Sequence, residues 1–398
     1  MKSLTTGNPR RPEILLLLMA IAVPLSFAAW QTLLNNFAIE RVDFTGREMG
    51  ILQSLREIPG FLAFGVVFLL LIIREQKLAY ISLMLLGLGT ALTGFFPSVI
   101  GLYITTVIMS IGFHYYETLQ TSLALQWTDQ SNAAETLGRL IAAGSFASII
   151  TFGLIWLGDD LLQLDYQWIY LIMGGLTLII AAIAWLGFPL FPQKTEQHKH
   201  MVLRKRYWLF YILTFMSGAR RQIFVVFAGF LMVEKFGYSV SQIALLFLIN
   251  AAINVFLAPR IGRLIARIGE RRALLIEYAG LMLVFCGYAL VEEAWAAGTL
   301  YIIDHLFFAM AIALKTYFQK IAAPEDIAST AGVSFSINHI AAVVIPALFG
   351  LVWLTSPALV FYAGAAMAAT SFSLSLLVPE APGQGRESRL AYSTLNGN

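Results

Sequence analysis

The chain has 398 residues, of which 59% are hydrophobic and only 12% are charged. This composition excludes a soluble globular protein, because one segment after another is too apolar to face water. The net charge of +3 is too small to indicate binding to nucleic acid, and the single Cys286 excludes a disulfide framework and a cysteine-based metal cluster.

Hydropathy predicts twelve membrane spans, since a helix needs about 20 mostly apolar residues to cross a bilayer. The first apolar run is too long for a signal peptide, lacks a small-residue cleavage site and is followed by further spans. The predicted spans cover residues 13–37, 48–73, 78–97, 100–125, 137–157, 167–189, 207–233, 240–262, 273–291, 299–320, 330–354 and 358–378.

The distribution of lysine and arginine predicts that both termini are cytoplasmic. With that orientation, nineteen of the 26 basic residues fall in cytoplasmic segments, as membrane topology requires. The opposite side holds Arg41, Arg47 and Lys235, and the spans hold Arg56, Arg220, Arg221 and Lys315.

The longest polar connection, residues 192–206, divides the spans into two groups of six. Span-opening segments correspond at a constant offset of about 194 residues, as between Phe44-Thr45 and Tyr238-Ser239, which favours an internal repeat. We therefore expect an N-terminal bundle (1–191), a cytoplasmic linker (192–206), a C-terminal bundle (207–378) and a disordered cytoplasmic tail (379–398).

The connection between the eighth and ninth predicted spans carries a loop motif. It resembles the loop signature of the major facilitator superfamily, in which glycines bracket an acidic and a basic residue. Ala266 replaces the acid and Glu270 one of the basic residues, and the equivalent stretch in the first half keeps only Arg74 and Lys77. The matching positions, assigned to a conformational loop, are Gly262, Arg267, Gly269 and Arg271.

The resemblance implies an all-α integral membrane protein, with twelve transmembrane helices in two pseudo-symmetric six-helix bundles around a central cavity. The third, sixth, ninth and twelfth helices of such proteins are peripheral. In this sequence the third, sixth and twelfth predicted spans contain no charged residue, and the ninth contains only Glu277. Because charges avoid lipid, this distribution is consistent with a cavity lined by the other helices.

Two adjacent arginines, Arg220 and Arg221, lie near the middle of the seventh predicted span. An arginine at the centre of a bilayer costs roughly 2.5 to 3.5 kcal/mol on insertion scales, so this pair needs a reason. One interpretation is an ion pair with a carboxylate that holds the bundle together. The other is that the arginines face a water-filled path and contact a charged solute.

Several acidic residues and histidines could carry a coupling proton. In the fourth span, Ser110, His114, Glu117 and Thr121 recur at helical spacing and form a polar stripe, in which a buried glutamate could exchange protons with histidine. In the tenth span, Asp304 shares a helix face with Lys315 and is expected to partner Arg220 or Arg221. The candidates for proton coupling are Glu117, His114, Asp304, His305 and Glu57.

The charged residues within the predicted spans give the cavity a slight positive charge. Such a cavity suits an anion or a zwitterion, because arginine can donate two parallel hydrogen bonds to a carboxylate or phosphate. Arg56 and Glu57 are adjacent in sequence and are expected to point in different directions, each towards its own partner. The candidates for substrate binding are Arg220, Arg221, Arg56, Lys315, Asn250, Asn254, Asn338, His339 and Gln31.

These observations predict a secondary active transporter that moves a small anionic or zwitterionic organic molecule by alternating access, coupled to protons. We expect a monomer in the bacterial inner membrane, with no cofactor, no bound metal and no nucleic acid partner. The alternatives are proton-driven efflux of drugs or sugars, a metal-ion carrier in which His305 and His339 converge, and an intramembrane enzyme. An ATP-driven pump is disfavoured because the sequence has no phosphate-binding loop.

Overall fold

The computed structural model describes residues 11–127, 133–192, 203–323 and 326–390. Throughout these residues the regular secondary structure is helical, with one isolated β-bridge between Gly383 and Arg386. The α-helices are α1 (Pro12–Val42), α2 (Gly46–Phe61), α3 (Val66–Leu70), α4 (Glu75–Thr93), α5 (Val99–Trp127), α6 (Ala133–Trp156), α7 (Tyr166–Gly187), α8 (Trp208–Ile223), α9 (Gly229–Glu234), α10 (Val240–Ile268), α11 (Glu270–Leu290), α12 (Ala294–Phe308), α13 (Ile312–Ile321), α14 (Ile327–Trp353) and α15 (Pro357–Ser375).

The all-α membrane fold predicted from the sequence is confirmed. Nine helical segments of the described chain are long and apolar enough to cross a membrane, and two of these combine successive helices, α8 with α9 and α12 with α13. The predicted spans 48–73, 78–97 and 240–262 are also helical but fall outside that set. The count of twelve spans therefore stays a prediction.

The helices group into two compact units. In the described chain, the first unit holds α1, the end of α2, α3 to α7 and the opening turns of α10, within Met1–Asp43, Ile58–Gln197 and Val240–Leu245. The second unit holds the start of α2, α8, α9, the rest of α10 and α11 to α15, within Phe44–Glu57, His198–Ser239 and Leu246–Asn398. The predicted boundaries at residues 191, 206 and 378 stay predictions, and residues 193–202 of the predicted linker lie outside the described residues.

Close contacts between helix backbones hold the first unit together. A Cβ placed on Gly89 would lie 2.7 Å from the Cα of Met109, and a Cβ on Gly87 would lie 2.8 Å from the carbonyl oxygen of Gly174. In a membrane such close approach replaces the hydrophobic effect as the source of helix association. At the start of α10, Asp159 accepts a hydrogen bond from the backbone N–H of Ser241 at 2.9 Å.

A buried cluster fills one end of the second unit. Tyr207 and Tyr317 are each fully buried within it, and Phe210 stacks on Phe318 with ring centroids 4.3 Å apart. Nearby, the carboxylate of Asp326 binds Arg204 at 3.1 Å, Arg206 at 2.6 Å and the hydroxyl of Tyr207 at 2.9 Å. The guanidinium of Arg206, hydrogen-bonded to this carboxylate, lowers the pKa of Asp326 below its ordinary value.

The C-terminal segment differs from the predicted disordered tail over residues 379–390. The hydroxyl of Tyr317 donates a hydrogen bond to the backbone oxygen of Glu387, and Gln384 donates one to the backbone oxygen of Ala322 at 3.2 Å. Glu387 and Ser388 are both buried. Composition suggested disorder, but the bundle supplies the partners that satisfy these polar groups.

The predicted conformational loop is mostly helical. Only Gly269 separates α10 from α11, and its φ of +83° lies in the region that favours glycine. Gly262 lies within α10, and Arg267 is exposed in its last turn. Arg271 contacts Glu380 at 3.2 Å. The two departures from the loop signature, Ala266 and Glu270, lie on either side of Gly269, and Glu270 forms an ion pair with Lys320 at 2.6 Å.

Candidate functional site

The most deeply buried charges form a cluster inside the second unit, on α8, α11, α12 and α15. Arg220 is fully buried, and its Nη2 lies 3.4 Å from Oε1 of the equally buried Glu277. Its Nη1 donates to Ser371 at 3.4 Å, and its guanidinium lies over the ring of Tyr278, 4.7 Å from the centroid. This placement favours the first interpretation of Arg220, a charge held by the protein itself.

Asp304 lies within the same unit, but its expected direct partnership with the arginines is not present. The side chain is fully buried, and neither carboxylate oxygen has a hydrogen-bond partner among the described residues. Arg220 bonds instead to Glu277, although its charge is close enough to act on Asp304. The sequence could not show whether Glu277 or Asp304 pairs with Arg220, because the pairing depends on how α11 and α12 pack around α8.

Asp304 and Lys315 do not share a common environment. A 3₁₀ turn, Ala309–Ala311, interrupts the helix between them. Lys315 is exposed, whereas Asp304 is buried. The prediction that these two residues lie on one face assumed an uninterrupted α-helix. The 3₁₀ turn has fewer residues per turn, so it rotates the side chains that follow it about the helix axis.

Arg221 is exposed, in contrast to its neighbour Arg220. It lies near the middle of the 30-residue apolar segment Lys205–Glu234, and no described residue forms an ion pair with it. Immediately after it the helix widens into a π-helical turn, Phe224–Ala228. π-Helical turns are uncommon in proteins, and those that occur are often found at functional sites. Arginines within membrane spans usually face a water-filled cavity or a partner rather than lipid.

Arg56 and Glu57 bond to each other, contrary to the prediction that each needs a separate partner. Both side chains are buried, and Nη2 of Arg56 donates to Oε1 of Glu57. Adjacent positions on a helix point about 100° apart, but these side chains are long enough to bend towards one another. His339 lies on the other side of Glu57, with its Nε2 3.7 Å from Oε2.

The three histidines in the predicted spans share one backbone contact. Nδ1 of His114, His305 and His339 each lies 2.9 to 3.1 Å from the carbonyl oxygen four residues earlier. Since a carbonyl oxygen can only accept, each contact is a hydrogen bond in the tautomer that carries hydrogen on Nδ1. In the polar stripe, His114 also contacts the hydroxyl of Ser110 at 3.0 Å, and Glu117 is exposed.

The two histidines of the metal-carrier alternative have different surroundings. His305 lies against the rings of Tyr301 and Phe224, with centroids 4.7 and 5.2 Å away. His339 lies against Phe335 and beside Glu57. The contacts of these histidines therefore do not support their convergence on one ion.

The remaining polar candidates are dispersed over α1, α10 and α14. Asn250 is buried, and neither its amide oxygen nor its amide nitrogen is hydrogen-bonded to a residue that the structure describes. Asn254 and Gln31 are half-buried. Asn338 is exposed, and its Oδ1 lies 2.6 Å from the position of a Cβ on Gly218, where α14 crosses α8 closely. Their assignment to substrate binding stays a prediction.

Sequence reasoning missed Glu277 as a member of this cluster. It was assigned to a peripheral helix, yet it is the ion-pair partner of Arg220. A usable signal was present, because Glu277 is the only charged residue in the predicted span 273–291 and an isolated intramembrane acid needs a partner.

Comparisons with known proteins agree with this fold. The sequence model described as Major Facilitator Superfamily matches residues 14–346. A search of curated proteins found no match to the chain.

Solved structures of transporters superpose on most of the chain. A mutant form of the nucleoside transporter NupG has a TM-score of 0.77 at 14% identity, covering 92% of this chain and 99% of the other. A bacterial homologue of the human lysosomal transporter Spinster, inward-facing and occupied, has a TM-score of 0.73 at 14% identity, covering 94% and 97%. An auto-inhibited peptide transporter of the POT family has a TM-score of 0.69 at 15% identity, covering 92% and 96%. At these identities the likeness shows the fold alone.

Proposed function

This chain belongs to the major facilitator superfamily, and on that premise we propose that it is a proton-coupled secondary active transporter of a small anionic or zwitterionic organic solute. It is a transport protein and not an enzyme. The similar structures include nucleoside and peptide transporters, so the fold does not determine the solute. The solute class must be argued from the side chains.

The exposed guanidinium of Arg221 is the observation that carries the proposal. Arg220, one residue earlier, is neutralised by Glu277, whereas Arg221 has no anionic partner among the described residues. A charge left uncompensated at mid-depth is costly, and an anionic solute that binds there would offset that cost. Carboxylate and phosphate suit the planar guanidinium, because both can accept two parallel hydrogen bonds from it.

Asp304 is our candidate for the proton carrier. The groups within electrostatic reach of its carboxyl are Arg220, Glu277, Tyr288 and Tyr301. The Arg220 guanidinium is already bonded to Glu277, and no donor among the described residues bonds to the carboxylate of Asp304. Burying a carboxylate without a hydrogen bond makes its charged form costly, which is why we choose Asp304 among the acidic residues as the carrier. A change in the packing of α12 that brought Arg220 or water to Asp304 would release the proton.

Solute binding can be tested with Arg221→Ala and Arg221→Lys in purified protein. A thermal-shift screen with pooled organic acids, amino acids, sugars and drugs first identifies a stabilising compound, which is then measured for uptake into proteoliposomes. We expect an anionic or zwitterionic compound, whose stabilisation is lost in Arg221→Ala and partly kept in Arg221→Lys. Arg272→Ala, which removes an exposed arginine near the start of α11, is the matched control and should bind normally.

The same screen separates the alternatives. Stabilisation only by sugars or cationic drugs would favour the efflux alternative. Normal uptake by Arg221→Ala would refute the role of Arg221 as an anion-binding residue.

Proton coupling can be tested independently with Asp304→Asn. Because asparagine cannot gain or lose a proton in this range, the variant should still exchange labelled for unlabelled solute but fail to accumulate it under a pH gradient. Accumulation equal to that of the wild type would exclude Asp304 as the carrier. Glu117→Gln is the corresponding test of the second candidate.

The orientation follows from the charge distribution. We propose that both termini are cytoplasmic and that the protein acts as a monomer in the bacterial inner membrane. Labelling of single cysteines introduced at Arg41 and Arg272, in a Cys286→Ser background and on intact cells, should modify only the first position.

A further inference from the structure

A cavity of about 300 Å³ lies within the first unit, where the ends of three helices meet. Its wall comes from the start of α4, the end of α5 and the segment that follows α7. The lining residues are Arg74, Gln76, Leu123, Trp127, Leu190, Phe191 and Pro192. We call it the Arg74–Trp127 cavity, and the solute and proton sites described above do not include any of its residues.

The cavity presents positive charge and hydrogen-bond donors. Arg74 is exposed and forms no ion pair with any described residue. It is also the N-cap residue of the 19-residue α4, and its side chain makes no capping hydrogen bond. The first backbone N–H groups of a helix lack intrahelical partners and attract anions.

The second wall supplies an unused donor. Trp127 is about nine-tenths buried, and its indole N–H has no acceptor in the described chain. Its ring packs edge-on against Phe191, with centroids 5.2 Å apart, which fixes its position. A buried donor without an acceptor costs free energy that a ligand oxygen would recover.

Gln76, the third polar side chain of the cavity wall, is hydrogen-bonded within the protein. Gln76 donates to Tyr80 and to the carbonyl of Pro189, and accepts from the N–H of Phe191, which leaves it no spare role in binding. Among the described residues, Glu75 is a carboxylate beside the cavity; it does not line the wall, and it accepts a hydrogen bond from Gln126 at 2.7 Å. An anion bound at Arg74 would thus meet donors and apolar side chains.

We propose that the Arg74–Trp127 cavity binds the phosphate of an anionic phospholipid headgroup. Arg74 and the indole N–H of Trp127 are the groups that would contact the phosphate oxygens. The acyl chains would continue over apolar residues that flank the cavity along the chain, since Leu71, Ile72 and Leu186 are each at least 80% exposed and Leu190 lines the cavity itself. Exposed apolar side chains close to the cavity in sequence favour a lipid over a water-soluble phosphate. Basic and tryptophan side chains are typical of the headgroup level of a bilayer.

The experiment is native mass spectrometry of the purified full-length protein, titrated with phosphatidylglycerol and, separately, with phosphatidylcholine. The wild type should retain phosphatidylglycerol preferentially. Arg74→Ala should lower that retention about fivefold, the effect expected for one basic residue near anionic lipid. Trp127→Phe keeps an aromatic side chain and removes the N–H, and should lower retention about threefold. Lys77→Ala removes an exposed basic residue that does not line the cavity, and should change retention less than Arg74→Ala.

Three results would overturn the proposal. Wild-type retention of phosphatidylglycerol by both Arg74→Ala and Trp127→Phe would show that the cavity is not the site. Equal losses in Arg74→Ala and Lys77→Ala would indicate a diffuse basic surface. Displacement of the lipid by an equal concentration of glycerol 3-phosphate would show that the site takes a soluble phosphate. Melting temperatures of the variants check that each one is folded.

Discussion

Arg220 and Glu277 form an ion pair within the second unit, with 3.4 Å between Nη2 and Oε1 and no solvent exposure on either residue. The pair joins α8 to α11, two helices that are 57 positions apart at these residues. Among the described residues each charge has the other as its ion-pair partner, and Arg220 adds weak contacts to Ser371 and Tyr278. Removing one member of the pair would therefore leave the other charge buried without its partner.

The first prediction concerns this pair. Glu277→Gln leaves the Arg220 charge buried without compensation and should destabilise the protein by about 3 to 5 kcal/mol, whereas Arg220→Met combined with Glu277→Leu should recover most of that loss. Thermal unfolding in detergent measures both. Arg221→Ala, at the exposed neighbouring position, is the control and should melt close to the wild type. Equal melting of Glu277→Gln and the wild type would mean that the buried pair does not form.

A second prediction concerns the crossing of α2 and α14 within the second unit. A Cβ on Gly50 would overlap the carbonyl oxygen of Pro346, and a Cβ on Gly350 would lie 2.5 Å from the carbonyl oxygen of Gly46. Gly50→Ala should therefore cost about 1 to 3 kcal/mol, since neither backbone can move easily.

A matched control exists for the glycine substitution. Gly175 in α7 has no atom within 4 Å of a built Cβ. Gly175→Ala should be neutral or stabilise the helix by up to about 1 kcal/mol. If both variants have the same melting temperature, the close crossing is not present in the protein in solution.

The third prediction concerns the pH dependence produced by Asp326. The pKa of this carboxyl is lower in the folded protein than in the unfolded chain, because Arg206, Tyr207 and Arg204 bond to its charged form. Its contribution to stability is therefore complete above the unfolded value of about 3.9 and is lost as the pH falls through the lower folded value.

Asp326→Asn should show the pH range over which the charge of Asp326 contributes to stability. The difference in melting temperature between the wild type and Asp326→Asn should be constant above about pH 5 and shrink below about pH 4. Asp160→Asn, which changes an exposed aspartate outside the described ion pairs, should show no such convergence. A difference that persists unchanged to pH 3 would contradict the assigned role of the charge.

The fourth prediction concerns the C-terminal segment. Deletion of residues 379–398 removes the hydrogen bonds to Tyr317 and Ala322 and the contact of Glu380 with Arg271. We expect a loss of about 1 to 3 kcal/mol and faster hydrogen exchange in the peptide that contains residues 317–323. Deletion of residues 391–398 alone leaves these contacts in place and should have little effect on that peptide. Unchanged exchange after the longer deletion would show that the segment does not pack on the bundle.

The sequence by itself determined that this is an all-helical membrane protein, and its loop residues Gly269 and Arg271 indicated the superfamily. Both conclusions depend on properties that can be read along the chain. The cost of placing charge in lipid sets where apolar runs begin and end, and a turn with positive φ favours glycine at a fixed position.

Only the tertiary structure decided which charges meet. Arg220 and Arg221 are indistinguishable as neighbours in sequence, yet α8 turns the first towards Glu277 and leaves the second exposed. The sequence had predicted Asp304 as the partner of Arg220 or Arg221. It had also predicted separate partners for Arg56 and Glu57, which instead bond to each other. Hydropathy reports how deep a residue lies, but partnership depends on the rotation of each helix about its axis, which is set by packing against neighbours that are distant in the chain.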